Sequence, residues 1–555
     1  MVPEVLTQMT KIAQVAKSAA FSLSLLSLVA APTIAQGGHS VPISATPLFS
    51  QGKSTQTKAA TPQKQAAPVD KLQGLDALAA TAIQEWKVPG LAIAIVQDGN
   101  VIYSKGYGYR DVEKKLPVTP DTLFAIGSIT KSFTSITFGM LNDEGKADWD
   151  KPVRNYLPEF TLYDEVATER ATPRDLFSHR TGLPRHDLVW YGSDFTRADL
   201  VRRVRFLKPN KDFRTTYQYN NLMMMTMGHV EETITGQSWE SLIKARILDP
   251  LDMSHTNFSV RDLAQSPDRA LGYDLRNEVA TNVPYHNIDP IGPAGSINSS
   301  VADMSHYVIF HLGDGTWQGK RLVSEANLRL VHSPQTVVPD PPPDLRFTEL
   351  GHAAYALAWG ASSYRGHSLV THSGGIDGFT ALLSMLPDDH IGVIILTNLG
   401  GQRASEILTY NTFDRLLGLD QISWIDRFKE RRAKQKQQEE EAKKKKSADR
   451  KTGTHPSHDM KDYAGNFEHP GYGALKITLN GDKLEASLNG IVGPCVLEHY
   501  QYDQFQVPEN ANSPLAGGVF QFQTDKQGNI GSVSAPFEPA MPENIVFNRV
   551  VEKQK

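Results

Sequence analysis

The chain reads Thr122-Leu-Phe-Ala-Ile-Gly127, then Ser128-Ile129-Thr130-Lys131, then Ser132-Phe-Thr-Ser-Ile-Thr-Phe-Gly-Met-Leu141. The first part is apolar and strand-like, Gly127 permits a turn, and the last part has helical spacing. Ser128 therefore stands where a turn opens a helix. Residues i and i+3 of a helix share a face, so the Lys131 amine can reach the Ser128 hydroxyl. A serine hydroxyl is a poor nucleophile until a base takes its proton, and a lysine of depressed pKa is such a base. The free N–H groups and positive end of the helix lie where an oxyanion would develop. S-x-x-K alone is weak, since a chain of this length holds about two by chance. Ser50…Lys53 and Ser241…Lys244 also match. The first lies in a stretch too polar to fold, and the second sits inside the predicted helix 239–248 with no turn before it.

Two further elements join it. Tyr219-Asn220-Asn221 ends a loop before the helical run Leu222-Met-Met-Met-Thr-Met-Gly228. A phenol beside a lysine ammonium loses its proton more easily and can relay protons, and the Asn221 amide can hold lysine and substrate in register. A rival Tyr285-His286-Asn287 has no helix after it. His372-Ser373-Gly374-Gly375 lies in Val370-Thr-His-Ser-Gly-Gly-Ile-Asp-Gly378. There a strand edge with glycines brings backbone N–H groups against a substrate carbonyl. A literal Lys451-Thr452-Gly453 has no strand around it and is read as coincidence.

With these residues the chain resembles the serine β-lactamase and penicillin-binding-protein superfamily, in its broad class C β-lactamase-like branch of esterases, D-aminopeptidases and carboxypeptidase-like enzymes. Val88-Pro-Gly-Leu-Ala-Ile-Ala-Ile-Val96, Thr172-Pro-Arg-Asp-Leu-Phe-Ser-His-Arg-Thr-Gly-Leu183, Pro293-Ala-Gly-Ser-Ile-Asn-Ser-Ser300 and Tyr355-Ala-Leu-Ala-Trp-Gly360 add to the likeness, which runs from about 75 to 425. The resemblance implies an α/β (α+β) fold, an antiparallel sheet flanked by helices beside an all-helical region. It implies Ser128 as nucleophile, Lys131 as base and Tyr219 as proton shuttle. The N–H groups of Ser128 and Gly375 would form the oxyanion hole, and Asn221, His372, Ser373 and Gly374 would line the substrate site. His372 stands where β-lactamases proper carry a lysine. A neutral imidazole anchors a carboxylate less strongly, which favours esters or D-amino-acid amides and peptides over β-lactams. A β-lactamase, or a slow-deacylating penicillin-binding or carboxypeptidase-like protein, is the alternative.

Outward from this centre, Leu72, Leu75, Leu78, Ala79, Ile83 and Trp86 fall at helical spacing, and strands 91–96 and 101–103 meet at Asp98-Gly99-Asn100, a hairpin signal. Strand-like runs recur at 378–386 and 391–398, so strands at both ends of the domain can pair into one sheet. Lys11, Lys17 and the apolar stretch 19–31 before Ala35 read as an export signal over 1–35, implying a periplasmic or secreted protein. Residues 36–69 read as a flexible linker and 70–425 as the hydrolase domain. Residues 427–451 hold twelve Lys or Arg against five acids, inside a basic linker at 426–457. From 458 to 555 the pattern turns β. Leu475, Ile477 and Leu479 alternate, as do Leu484, Ala486 and Leu488, around Asn480-Gly481. Tyr463-Ala-Gly-Asn-Phe467 and His469-Pro-Gly-Tyr-Gly473 resemble a small lipocalin-like barrel appended to this branch.

Composition sets the exclusions. The formal net charge of the 555 residues is −4, which provides no electrostatic case for a nucleic-acid partner. The +7 of residues 427–451 masks an acidic remainder. Cys495 is the single cysteine, so no internal disulfide, Cys-rich zinc module or redox pair can form. There is no G-x-S-x-G, no H-E-x-x-H, no metal-ligand spacing among the 17 histidines, and no apolar run of membrane-spanning length. The expected partner is a small-molecule or peptide-like acyl substrate, with no cofactor, no metal and no stable membrane span. The oligomeric state is left open.

Overall fold

The computed structural model describes residues 70–550, apart from 449, 491 and 512. The expected signal and linker over 1–69 lie outside the described residues. The principal strands of the first domain are β1 (Gly90–Gln97), β2 (Asn100–Asp111), β3 (Leu116–Pro117), β4 (Thr336–Val337), β5 (Ala354–Tyr355), β6 (Gly360–Tyr364), β7 (His367–Ile376), β8 (Phe379–Leu386) and β9 (Ile391–Thr397). They form one nine-stranded sheet in the order β4-β5-β6-β7-β8-β9-β1-β2-β3. β1 pairs antiparallel with β9 (Leu91 opposite Thr397), so the two ends of the domain meet in mid-sheet. Asp98 and Gly99, both at positive φ, make the tight turn between β1 and β2.

β1 is apolar at nearly every position because both faces are covered. Leu91, Ile93 and Ile95 pack with Val393 and Ile395 under α1 (Leu75–Trp86). Ala92, Ala94 and Val96 face the opposite core with Ile394 and Leu396. That second core contains α2 (Thr130–Asp143), α3 (Asn221–Thr235) and α4 (Val301–Leu312), while α5 (Ala404–Leu417) joins α1 on the first face. α2 is buried from Thr130 to Leu141 although rich in hydroxyls. Ser132 Oγ donates to Ile129 O, Thr134 Oγ1 to Pro293 O and Ser135 Oγ to Leu357 O, so those hydroxyls are satisfied. The strand expected over 122–127 is short, Phe124–Ala125, and pairs with Asn298–Ser299.

The basic stretch is a helix for most of its length, α6 (Trp424–Ala448), and the domain boundary read at 425/426 falls inside it. Trp424 and Phe428 are buried against Phe347 and Tyr410. Arg427 makes a two-bond pair with Glu349, and Arg432 and Lys429 reach Glu85. The periodicity that would mark a docked helix is confined to its first turn.

The C-terminal domain is a closed eight-stranded barrel: β10 (Gly465–His469), β11 (Gly473–Asn480), β12 (Lys483–Leu488), β13 (Val492–Gln501), β14 (Gln504–Gln506), β15 (Val519–Thr524), β16 (Ile530–Ala535) and β17 (Ile545–Arg549). β17 closes on β10. Leu475, Ile477, Leu484, Ala486 and Leu488 point inward as their alternation predicts, together with Cys495. Leu479 departs, 37% exposed, because it sits beside the hairpin turn where the barrel ends.

One core position sets a testable penalty. Glu231 in α3 is fully buried, and among the described residues neither carboxylate oxygen has a hydrogen-bond partner. Burial, with Glu232 beside it, pushes its pKa well above the usual carboxylate range. The folded state then keeps a proton that the unfolded chain releases above about pH 4.5, so stability falls as pH rises from there toward the folded pKa. Glu231→Met is expected to stabilise the chain by about 2 kcal/mol at pH 7. The gain should shrink toward pH 4, where the carboxyl is protonated in both states and only the cost of burying it unpaired remains, as read by urea unfolding at both pH values.

Candidate active site

Ser128 sits in a 3₁₀ turn, Gly127–Ile129, that runs into α2. Lys131 is fully buried one turn on, its Nζ 2.9 Å from Ser128 Oγ and 2.6 Å from the Ala294 carbonyl it donates to. Burial holds the Lys131 pKa well below the ordinary lysine range, and the Arg185 cation lowers it further, against Asp187. A lysine lowered in this way gives up its proton more readily than an ordinary one, and the deprotonated amine keeps its bond to Ala294 and gains a lone pair for the Ser128 proton.

β7 brings the third motif to this turn. Thr371 is the last β7 residue paired with β6, so the edge from His372 to Ile376 is open on that side. Gly127 adopts φ +50°, and a Cβ there would lie 2.8 Å from the Gly375 nitrogen. A Cβ on Gly374 would lie 1.9 Å from Ile126 O and 3.1 Å from the Ser128 nitrogen. Only backbone fits in this space. The Ser128 and Gly375 nitrogens thus stand close together beside the hydroxyl, the arrangement an oxyanion hole requires.

Tyr219 is placed by α3, whose N-cap Asn220 accepts from Met223 N–H. The Lys131 Nζ is 4.8 Å from the Tyr219 ring centre. Its acidity differs from the sequence reading. A neighbouring ammonium would ease the phenol's ionisation, whereas burial drives the Tyr219 pKa above its ordinary value, only partly offset by Ser128 and Arg185. Tyr219 is a protonated phenol. His372 lines the cavity, but both its ring nitrogens are engaged. Nδ1 donates to Ser373 O at 2.6 Å and Nε2 accepts from the Tyr355 hydroxyl at 2.8 Å. Burial pulls its pKa down to about 3. Ser373 is exposed on the cavity wall. The rival Tyr285-His286-Asn287 sits further along the rim, where His286 bonds Tyr191 and Asp377.

Arg185, Asp187 and His179 were not among the expected site residues. Asp187 Oδ1 accepts from Asn221 Nδ2 at 2.9 Å and from Trp190 Nε1 at 2.8 Å, and Oδ2 accepts from Arg185 Nε at 2.6 Å. The Arg185 guanidinium lies 4.9 Å from the Tyr219 ring centre. His179 packs against Tyr219 and Tyr355 and accepts from Asn220 N–H, held neutral by burial. Ser128 lies between two cavities. One, of about 340 Å³, has apolar walls from Leu188, Trp190, Ile288, Ile291 and Ile376, with Pro514 of the barrel. The other, of about 530 Å³, is lined by Tyr217, Tyr219, Tyr355, Thr371 and Ser373. Arg185 borders both.

Known proteins agree with this architecture. The Beta-lactamase family model matches residues 75–415, and a domain of unknown function, DUF3471, matches 449–549. Unguisins hydrolase ungD of Aspergillus violaceofuscus is 32% identical over 72% of this chain and 75% of its own length. Protein flp of Staphylococcus aureus is 27% identical over 61% of this chain and 66% of its own. The octameric penicillin-binding protein homologue of Pyrococcus abyssi superposes with a TM-score of 0.57 at 23% identity, over 86% of this chain and 99% of that one. A turn-borne serine, a buried lysine and a glycine-lined strand edge in one sheet-and-helix domain, matched by the model over more than half of its length, place this chain in the beta-lactamase family of serine hydrolases.

Proposed function

We propose that the chain is an exported hydrolase that acts through an acyl-enzyme on Ser128, most fittingly on esters or on D-amino-acid amides and peptides. The observation that carries this reading is the buried Lys131 amine, held below the ordinary lysine range, 2.9 Å from the Ser128 hydroxyl. Lys131 takes the hydroxyl proton as Oγ attacks the acyl carbon. The carbonyl oxygen turns toward the Ser128 and Gly375 N–H groups. The proton then passes to the leaving group with the Tyr219 phenol alongside, and water cleaves the acyl ester. The hydrolase name of the Aspergillus relative supports turnover over a purely binding role. His372 argues against efficient β-lactam turnover, because its engaged, neutral ring offers no cation to a carboxylate. Export rests on Lys11, Lys17 and the apolar stretch before Ala35. N-terminal sequencing of the secreted product should begin at Gln36.

The test is a panel of p-nitrophenyl esters, D-Ala peptides and cephalosporins on purified protein. Ser128→Ala is expected to lower ester or D-peptide hydrolysis by about 10⁴-fold. Wild-type rates in that variant would remove Ser128 from the reaction. A long-lived adduct with a labelled β-lactam, without turnover of any substrate, would instead identify a slow-deacylating binding protein.

A further inference from the structure

Arg185, His186 and Asp187 are consecutive, yet they serve two places. Arg185 and Asp187 face the Ser128 cavity, where Asp187 gathers the Arg185 and Asn221 side chains. His186 is fully buried in the other direction, against the barrel. The reversal depends on a left-handed backbone at His186, φ +48°. Its backbone N–H donates to the Glu538 carboxylate. The Tyr472 hydroxyl donates to its Nδ1 at 2.7 Å, and its Nε2 faces the Lys208 carbonyl at 3.4 Å. Both barrel residues are themselves held fast. Tyr472 is fully buried with its ring against Phe537 and Phe547, and Glu538 is 4% exposed and caps Ala540 N–H. Burial keeps the His186 imidazole neutral, so the grip is one of hydrogen bonds and not of charge.

Other contacts join the two parts. Arg203 donates to Pro470 O at 2.9 Å, away from the cavity lining, and Asn210 donates to Ala540 O at 2.6 Å while accepting from Gln218. The His186 contact differs because its chain neighbours on both sides are cavity residues. A left-handed histidine is strained relative to its alternatives, so without its partners the backbone relaxes and carries Arg185 and Asp187 with it. We propose that the barrel is a working part of the active site: Tyr472 and Glu538 grip His186 and thereby position the Arg185–Asp187–Asn221 network beside Ser128. They are positioning residues, and the proposal rests on the reading of Ser128 as the nucleophile.

The experiment compares Tyr472→Phe and Glu538→Gln with Tyr463→Phe in the full chain. Tyr463 is another buried barrel tyrosine, whose hydroxyl bonds Asp503 away from the loop. With a p-nitrophenyl ester, Tyr472→Phe is expected to lower kcat/KM about tenfold, the rate equivalent of one lost hydrogen bond. Tyr463→Phe should leave kcat/KM within about twofold. Combined with Asp187→Asn, the Tyr472→Phe effect should largely disappear, since both act on one network. Amide hydrogen exchange in Tyr472→Phe and Glu538→Gln should quicken in peptides spanning 183–192 and stay unchanged in those spanning 372–386. Additive losses with Asp187→Asn, equal losses from Tyr463→Phe, or unchanged exchange at 183–192 would overturn the proposal. If Tyr472→Phe does not fold, Glu538→Gln carries the same comparison. A wild-type chain inactive on every ester and amide would fell the Ser128 reading alone, and the exchange comparison would still decide the grip.

Discussion

Lys131→Met is expected to lower ester hydrolysis by about 10³-fold while leaving the fold in place, because general-base assistance contributes on the order of 10²–10⁴. Methionine matches the volume of the lysine stem and fits the buried site. What it removes is the lone pair 2.9 Å from Ser128 Oγ. Lys131→Arg should fail as completely for the opposite reason. A guanidinium stays protonated and would bury a charge where Arg185 already opposes one. The pH profile separates a base from a spacer. A lysine whose pKa is lowered is inactive when protonated, so the wild-type rate should climb with pH through that depressed value and level off below the ordinary lysine range. Lys131→Met should lose that limb from its residual activity. Stopped-flow acylation with a p-nitrophenyl ester reads both. A variant that retains a tenth of the rate, or keeps the limb, would show that another group takes the Ser128 proton.

Ser128 and Lys131 were legible because their chemistry is local. A turn, a helix start and an i, i+3 spacing are all written in ten consecutive residues, and the same logic discards Ser241…Lys244, which lies in mid-helix. The sheet was legible because β1 and β9 are apolar runs that only a doubly covered strand requires. The barrel was legible because its alternation and its Asn480-Gly481 turn repeat on a short range. Arg185 and Asp187 were not. They lie in an aperiodic loop after Pro184, and their value comes from Asn221 and Tyr219, more than thirty residues later in the chain. The available signal was a pair of opposite charges just past the recognisable 172–183 string. The Tyr219 protonation state is not legible for a related reason. Proximity to a lysine can be read from motif order, but burial, which lowers the lysine pKa and raises that of the phenol, is a property of the assembled cavity. The α6 stretch shows the reverse limit, since composition reports its solvated turns and hides the two aromatic residues that dock it.

Gly374→Ala and Gly375→Ala differ by one position and should differ by about two orders of magnitude in kcat/KM. A Cβ at Gly374 would sit 1.9 Å from the Ile126 carbonyl oxygen, and that atom is backbone on the approach to the Ser128 turn, so it cannot swing aside. β7 must then retreat from the turn by about an ångström, a displacement that costs on the order of 10²-fold when the groups are catalytic. The retreat also withdraws the Gly375 N–H, and loss of one oxyanion donor is worth about 10²–10³. Among the described residues, a Cβ at Gly375 meets nothing nearer than the Phe379 carbonyl at 3.8 Å, ordinary contact, and alanine keeps the N–H. Its activity should stay within about threefold of wild type toward small acyl groups. Gly127→Ala should resemble Gly374→Ala, since it adds a side chain at φ +50° and places it 2.8 Å from the Gly375 nitrogen. The contrast isolates geometry from composition, because all three changes add the same methyl group within one site. Equal activity in Gly374→Ala and Gly375→Ala would mean that β7 does not set the approach of donor and nucleophile, and that the oxyanion is held by some other pair of N–H groups.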